Sequence, residues 1–123
     1  MKTQGEIEAE ISKGINQIYV GLLGRGPTNT RTHAIGSTIL VMLQNTLTAT
    51  ETNVAKTTDG RRIIKEMCSA VVDSNRAQFK AAVIQATQKD VIDMHHDISI
   101  STGREIIVFS LTDAPAYRKT NGK

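Results

Sequence analysis

The residues of this chain with the greatest capacity for chemistry form the run His95-His96-Asp97, within residues 91–100. Side chains in this stretch alternate between apolar and polar types, and a period of two is typical of a half-buried strand. Neighbouring strand residues point to opposite faces, so His95 and His96 cannot easily hold one metal ion, and no metal site is predicted. His95 and Asp97 share a face. They could form a histidine–carboxylate pair or simply belong to a polar strand face.

A second candidate is the loop Gly24-Arg25-Gly26-Pro27. Backbone N–H groups exposed in such a loop can cradle an anion, and Arg25 adds positive charge beside Gly26. The loop lacks the Lys-Ser/Thr ending of a P-loop and does not follow a predicted strand. Anion binding and a structural turn between a helix and a sheet are both compatible with this pattern.

A small basic patch formed by Arg61, Arg62 and Lys65 lies at the predicted start of a helix. Cations at the positive end of a helix dipole are mildly unfavourable, which indicates an acidic partner surface, an intersubunit pair or a solvated face. Cys68 follows within the same helix, and no histidine is near it in sequence, so it is interpreted as a small core residue. No nucleophilic triad or pair of carboxylates appears in local spacing, so no enzymatic activity is predicted.

A helix is predicted over residues 3–23. Thr3 and Glu6 have the spacing of a capping box, in which each side chain satisfies a free backbone N–H group at the helix start. Gly24 is predicted to end this helix. Apolar residues at steps of three and four form one stripe along it: Ile7, Ile11, Ile15, Ile18 and Leu22.

Two strands are predicted over residues 28–35 and 38–44, joined by a turn at Gly36-Ser37. Residues 39–43 are all apolar, which is typical of a strand buried on both faces. Helices would cover one face of this strand, and another subunit would cover the opposite face. The pattern therefore predicts a homodimer, because an exposed apolar sheet face tends to be an interface.

The remaining elements complete an α+β fold. Helices are predicted over residues 49–57 and 59–87, the second being either one long helix or two helices that meet near Asn75. A second hairpin follows over residues 91–111, with its turn at Ser101-Thr102-Gly103. The order α-β-β-α-α-β-β predicts a four-stranded, mainly antiparallel sheet with helices on one face.

Length and composition set further bounds. The 123 residues suffice for one domain, predicted over 1–112, followed by a flexible basic tail over 113–123. A net charge of +3 is too small to indicate nucleic acid by itself. The one cysteine cannot form an internal disulfide and fits a reducing cytoplasm. No signal-peptide pattern is present, and no stretch approaches the ~20 apolar residues that a membrane span needs.

Stretches spread over nearly the whole chain, in the same order, resemble one family. These stretches are residues 3–10 and 24–27, Leu47-Thr48 with Glu51, residues 55–57, Gly60-Arg61, Arg76, residues 95–103 and residues 107–109. As a set they are similar to the MpsC-like proteins, also called YbcI-like. The family label refers to a sodium-translocating, membrane-potential-generating system. In that system a soluble component accompanies membrane proteins related to ion-pumping complexes and inorganic-carbon transport.

The resemblance implies an accessory or regulatory protein without catalytic residues or a cofactor. His96 departs from the family pattern, in which a small polar residue is usual at this position. Together with the local patterns, the resemblance places an anion-binding or partner-binding site on the following residues: Arg25, Gly26, Arg61, Arg76, His95, Asp97, Ser99, Thr102 and Gly103.

The leading prediction is a cytoplasmic protein at the inner face of the membrane that regulates an ion-translocating complex by protein–protein contact. One alternative is a nucleic-acid- or ribosome-associated protein that uses the tail and the patch around Arg61, although the few aromatic residues argue against base stacking. Another alternative is a sensor of small anions of the bicarbonate type, which would use Arg25 and the backbone of Gly26.

Overall fold

The computed structural model describes residues 1–44 and 46–119 and contains helices and strands in the predicted order. They are α1 (Gln4–Leu23), β1 (Asn29–Ile35), β2 (Thr38–Gln44), α2 (Ala49–Val54), α3 (Thr58–Ser74), α4 (Arg76–Thr87), β3 (Val91–Ser99) and β4 (Arg104–Leu111). The strands form one sheet in the order β1-β2-β4-β3, and every neighbouring pair is antiparallel. The α+β prediction is therefore confirmed.

The first helix begins and ends where its caps predict. Thr3 and Glu6 form the complete capping box, and Gly24 closes the helix in the left-handed conformation, with φ of 78°. The buried stripe differs from the prediction at its C-terminal end, where Tyr19 enters the core and Leu22 is 36% exposed. At 3.6 residues per turn Leu22 still lies on the isoleucine side of the helix, but it belongs to the last turn of α1, which ends at Leu23.

The first hairpin has the predicted two-residue turn, with Ile35 paired to Thr38. Gly36 has φ of 58°, a conformation that glycine adopts without steric strain. The second hairpin turns through residues 100–103 and contains Gly103 with φ of 73°, whose N–H donates to the Ser99 carbonyl at 2.8 Å.

The helical region divides into two helices at the predicted break. Asn75 lies between α3 and α4, and its side chain donates to the Val71 carbonyl at 2.8 Å. The short helix α2 ends at Val54, before the predicted end at residue 57. A Cβ atom added to Gly60 would lie 1.8 Å from the Val54 carbonyl oxygen, so glycine is needed where α2 ends against the start of α3.

The hydrophobic core lies between the helices and one face of the sheet. Phe79 of α4 is fully buried at its centre, and its ring centroid lies 5.6 Å from that of Tyr19. The buried strand residues alternate along β2 and β4: Ile39, Val41, Leu43, Ile107, Phe109 and Leu111. A register irregularity between Val91 and Asp93 leaves Ile92 66% exposed, whereas the alternation predicts it to face inward.

The chain after β4 returns towards the N-terminus. Pro115 is buried, Tyr117 packs against the core, and the Arg118 N–H group donates to the Lys2 carbonyl at 2.8 Å. The flexible tail predicted over residues 113–123 thus makes contacts with the rest of the chain as far as Arg118, and residues 120–123 lie outside the described part. None of the described helices is long and apolar enough to cross a membrane.

Candidate functional site

A groove of about 360 Å³ lies where the turn between β3 and β4 meets the segment joining α2 to α3. We call it the turn groove. Its lining residues are Leu47, Thr52, Ala55, Arg61, Ile100, Ser101, Thr102 and Gly103. The structure therefore brings together three of the predicted site residues, Arg61, Thr102 and Gly103, although more than 40 residues of sequence separate the first from the other two.

Arg61 supplies the positive charge of the turn groove. Its guanidinium donates to the Ala55 carbonyl at 3.4 Å and to the Thr58 hydroxyl at 3.1 Å. Among the ion pairs of residues 1–44 and 46–119, none involves Arg61. The start of α3 adds further positive potential, because the dipole of a helix is positive at its N-terminus.

The next residue, Arg62, has the opposite electrostatic environment. Its guanidinium pairs with Asp59 at 2.8 Å and with Glu66 at 3.0 Å. These two hydrogen-bonded carboxylates raise the pKa of Arg62. Two adjacent arginines thus differ in their contacts: Arg62 is paired along its own helix, whereas the Arg61 side chain lines the groove.

The turn between β3 and β4 contributes hydroxyl groups. The Thr102 hydroxyl accepts from the Arg104 N–H group at 3.3 Å, and the Ser101 hydroxyl lies 3.4 Å from that of Ser99. Ser99 therefore supports the turn and does not line the groove. A guanidinium beside hydroxyl groups is suited to a carboxylate or another oxyanion, which accepts hydrogen bonds from both.

Asp97 and His95 lie on β3, outside the groove lining. Asp97 pairs with Lys65 of α3 at 3.3 Å, and a hydrogen bond from the Ile98 N–H group, followed by Lys65, lowers the pKa of its carboxyl group. The hypothesised His95–Asp97 pair does not form. The His95 ring is hydrogen-bonded to Asp93 at 2.9 Å instead, and Asp97 pairs with Lys65.

Arg76 connects two elements of the fold. Its guanidinium donates to the Met94 carbonyl at 2.6 Å and to Asp73 at 3.1 Å. These bonds join the start of α4 to β3, and the guanidinium does not reach the turn groove. Its contacts are those of a residue that positions β3 against the helices.

Arg25 and Gly26 lie in the loop before β1, at the same end of the sheet as the turn groove. They are far from it, because β1 and β3 are opposite edge strands and three strand spacings amount to ~14 Å. A Cβ atom on Gly26 would lie 2.6 Å from the Asn16 side-chain oxygen. Glycine at this position therefore allows the loop to approach α1.

A buried polar cluster that is absent from the predicted site residues lies between α1 and the strands β3 and β4. We define it as Tyr19, His96 and Glu105. The Tyr19 hydroxyl donates to Glu105 Oε2 at 2.8 Å, and His96 Nε2 contacts the same oxygen. The side chains of His96 and Glu105 are only 5% and 2% exposed. The cluster joins α1 to β3 and β4 through side chains that would be costly to bury without partners.

A signal for this cluster exists in the sequence. Glu105 alternates with Ile107 and Phe109, so a strand that places these two in the core also buries the carboxylate. Burial, followed by the charge of Glu105, raises the pKa of Tyr19. Burial, followed by the same charge, also raises the pKa of Cys68 to about 12. Cys68 is half-buried and lies outside the group of buried core residues, whereas the sequence predicts it within the core.

The fold and the groove are those of a small α+β protein. Its groove is lined by hydroxyl groups and by an arginine that has no carboxylate partner among the described residues. Among the residues described, no group of three or more His, Cys, Asp or Glu could hold a metal ion.

Comparison with known proteins identifies the family. The chain belongs to the family described as "Na+-translocating membrane potential-generating system (MpsC)", whose model matches residues 3–113. It is also 36% identical over 110 residues to the Bacillus subtilis (strain 168) protein described as "Uncharacterized protein YbcI", a match that covers 89% of each chain. No solved structure matches the chain. The family predicted from the sequence is confirmed.

Proposed function

We propose that this protein is a non-enzymatic accessory subunit of a membrane ion-translocating system, and that it binds its partner through the turn groove at the cytoplasmic face. The observation that carries the proposal is the guanidinium of Arg61, which lies in a groove and has no carboxylate partner among the described ion pairs. The family description supports the link to an ion-translocating system.

The chemistry of the groove favours an acidic protein segment. Arg61 would bind a side-chain or C-terminal carboxylate, and the hydroxyls of Ser101 and Thr102 would donate to the same group. Leu47, Ala55 and Ile100 provide apolar walls for the neighbouring residues of that segment. The volume of about 360 Å³ is within the usual range for a ligand pocket and would hold a short stretch of peptide.

The test compares Arg61→Ala with Arg62→Ala, a matched control that removes a neighbouring arginine outside the groove lining. Tagged proteins are used to capture partners from native membranes solubilised gently, with and without nuclease. We expect the wild type and Arg62→Ala to capture the same membrane proteins in both conditions and Arg61→Ala to lose them.

Two outcomes contradict the proposal. Equal capture by Arg61→Ala would remove the groove as the contact site. Capture of nucleic acid and ribosomal proteins that disappears with nuclease would instead support the nucleic-acid-associated alternative, whose affinity should also fall steeply with salt.

A small oxyanion of the bicarbonate type is the second candidate ligand, and the same observation favours it. The sequence places this ligand at Arg25, and we propose Arg61 instead, because Arg61 lies in a groove with hydroxyl groups. Bicarbonate should then raise the melting temperature of the wild type and of Arg25→Ala, but not that of Arg61→Ala. An equal rise in Arg61→Ala would exclude this site.

A further inference from the structure

We propose that the sheet face away from the helices binds a second copy of this chain, around a two-fold axis that runs parallel to the strands between β2 and β4. We call this surface the open face. It is separate from the turn groove, so the inference does not depend on the proposed function.

The strand register places the residues of the open face in rows across the sheet. One row runs from Arg31 on β1 through Met42 and Ile106 to Asp97 on β3. The next row is His33, Leu40, Val108 and His95. Each row has a polar residue at either edge and two large apolar residues in the middle.

The apolar middle of the open face is accessible. Met42 is 37% exposed and Ile106 is 41% exposed, and both lie on central strands. The pattern of residues 39–43 predicts cover on both faces, and within the described residues the helices cover only one. Large apolar residues that are contiguous on a sheet face commonly mark an interface.

The charges of the two edges are opposite in sign. The edge strand β1 presents Arg31 and His33, whereas the other edge strand, β3, presents Asp93, His95 and Asp97. Arg31 takes part in none of the ion pairs formed by the described residues, and Asp97 is paired only with Lys65, an exposed lysine. The β1 edge therefore carries an arginine and the β3 edge two aspartates, while Arg104 adds a further cation on the same face at the start of the central strand β4.

This arrangement is complementary to itself under one symmetry operation. A two-fold axis parallel to the strands places β1 over β3 of the second copy and β2 over its β4. Arg31 then faces Asp97 of the second copy, and Met42 faces Ile106 of the second copy. An axis across the strands would instead place each edge strand over itself and bring like charges together. The opposite charges of the two edge strands thus favour a second copy in this one orientation, because it is the orientation that brings Arg31 close to Asp97 of the other copy.

The decisive experiment is a charge exchange measured by sedimentation equilibrium. We expect Arg31→Asp and Asp97→Arg each to weaken self-association by about tenfold or more, and the double variant to recover most of that loss, since the exchange restores opposite charges across the axis. Ile106→Asp should abolish association. Ile63→Asp is the control, because Ile63 is 46% exposed on α3 and lies away from the sheet.

Three results would overturn the inference: a wild type that stays monomeric at its highest soluble concentration, a dimer that survives Ile106→Asp, or a double variant no better than the single ones. Circular dichroism of each variant is the control that tests whether the fold is retained. Arg61→Ala should leave the dimer intact, so failure of the groove and failure of the open face are separate outcomes.

Discussion

The two faces of the sheet consist of alternate residues of the same four strands, yet they differ in composition and in cover. On β4, Ile107 and Phe109 face the helices and are fully buried, while Ile106 on the other face is 41% exposed. The covered face also contains the buried cluster around Glu105, and the open face has charged residues at both edges and Arg104 at the start of the central strand β4. Because side chains alternate with a period of two, half of the residues of one strand pack in the core and the other half lie on a surface.

This difference between the two faces indicates which residues should determine stability and which should determine association. Packing on the covered face determines whether the chain folds, because its residues lose nearly all contact with water. Residues of the open face lose little solvent contact within one chain, so their substitution should alter association much more than folding. The first two predictions below compare a residue of the covered face with its less buried neighbour, and the last two test the helical layer and an exposed ion pair at the sheet edge.

The largest effect is expected for Phe109→Ala, which should lower the free energy of unfolding by about 4 kcal/mol through lost burial and an internal cavity. Val108→Ala changes the adjacent residue of the same strand, which lies on the open face. This substitution should lower the free energy of unfolding by less than about 1 kcal/mol. Urea unfolding at a protein concentration that keeps the chain monomeric measures both. Similar losses for the two variants would contradict the comparison.

The adjacent histidines should differ almost as strongly. His96→Ala leaves the buried carboxylate of Glu105 with the Tyr19 hydroxyl as its remaining donor, and we expect a loss of about 3 kcal/mol. His95→Ala removes an exposed ring and should change stability by less than about 0.5 kcal/mol. The double variant His96→Leu with Glu105→Leu should be more stable than His96→Ala, because no buried charge remains. Chemical denaturation distinguishes the four proteins.

The reactivity of Cys68 tests the closure of the helical layer. Its pKa is raised to about 12, so the thiolate that reacts with alkylating reagents is scarce at pH 8. We expect labelling of the folded protein to be at least ~100-fold slower than that of the unfolded protein. Raising the pH towards 12 should accelerate the reaction, since deprotonation then becomes favourable. A rate in the folded protein equal to that of a free thiol would show that this side of the core is open.

The smallest effect is expected for Lys65→Ala, which removes an exposed ion pair with Asp97. The folded protein lowers the pKa of Asp97, so its ionised form contributes stability above the unfolded pKa, and this contribution disappears as the pH falls through the folded pKa. Removing Lys65 should raise that pKa only in part, because the Ile98 N–H group is the larger cause. An NMR titration of the Asp97 carboxyl would detect the change. A return to the ordinary value would assign the whole shift to Lys65.

Local sequence predicted most of the fold. The capping box of α1, the turn at Gly36 and the break at Asn75 are all present at the predicted positions. Each depends on residues that are at most four positions apart, so the information needed is contiguous. The exposed position of Ile92 was not predictable in this way, because a register irregularity between Val91 and Asp93 changes which face of the sheet Ile92 occupies.

Part of the candidate site could also be predicted. Arg61, Thr102 and Gly103 were identifiable one by one from local pattern and family resemblance, but not as neighbours. Arg25 has equally suitable chemistry in sequence and lies at the opposite edge of the sheet. The choice between two such arginines depends on the strand order, which local periodicity does not contain.

The sequence alone determined the helices, the two hairpins, the family and the alternation that separates a core face from a surface face. Only the tertiary structure decided which polar groups meet. Tyr19 and Glu105 are 86 residues apart and form a buried hydrogen bond, while the adjacent His95 and His96 face opposite environments. Helix caps and turns are short-range interactions between neighbours, whereas a buried contact or a groove forms only when the packing of the helices on the sheet brings distant segments together.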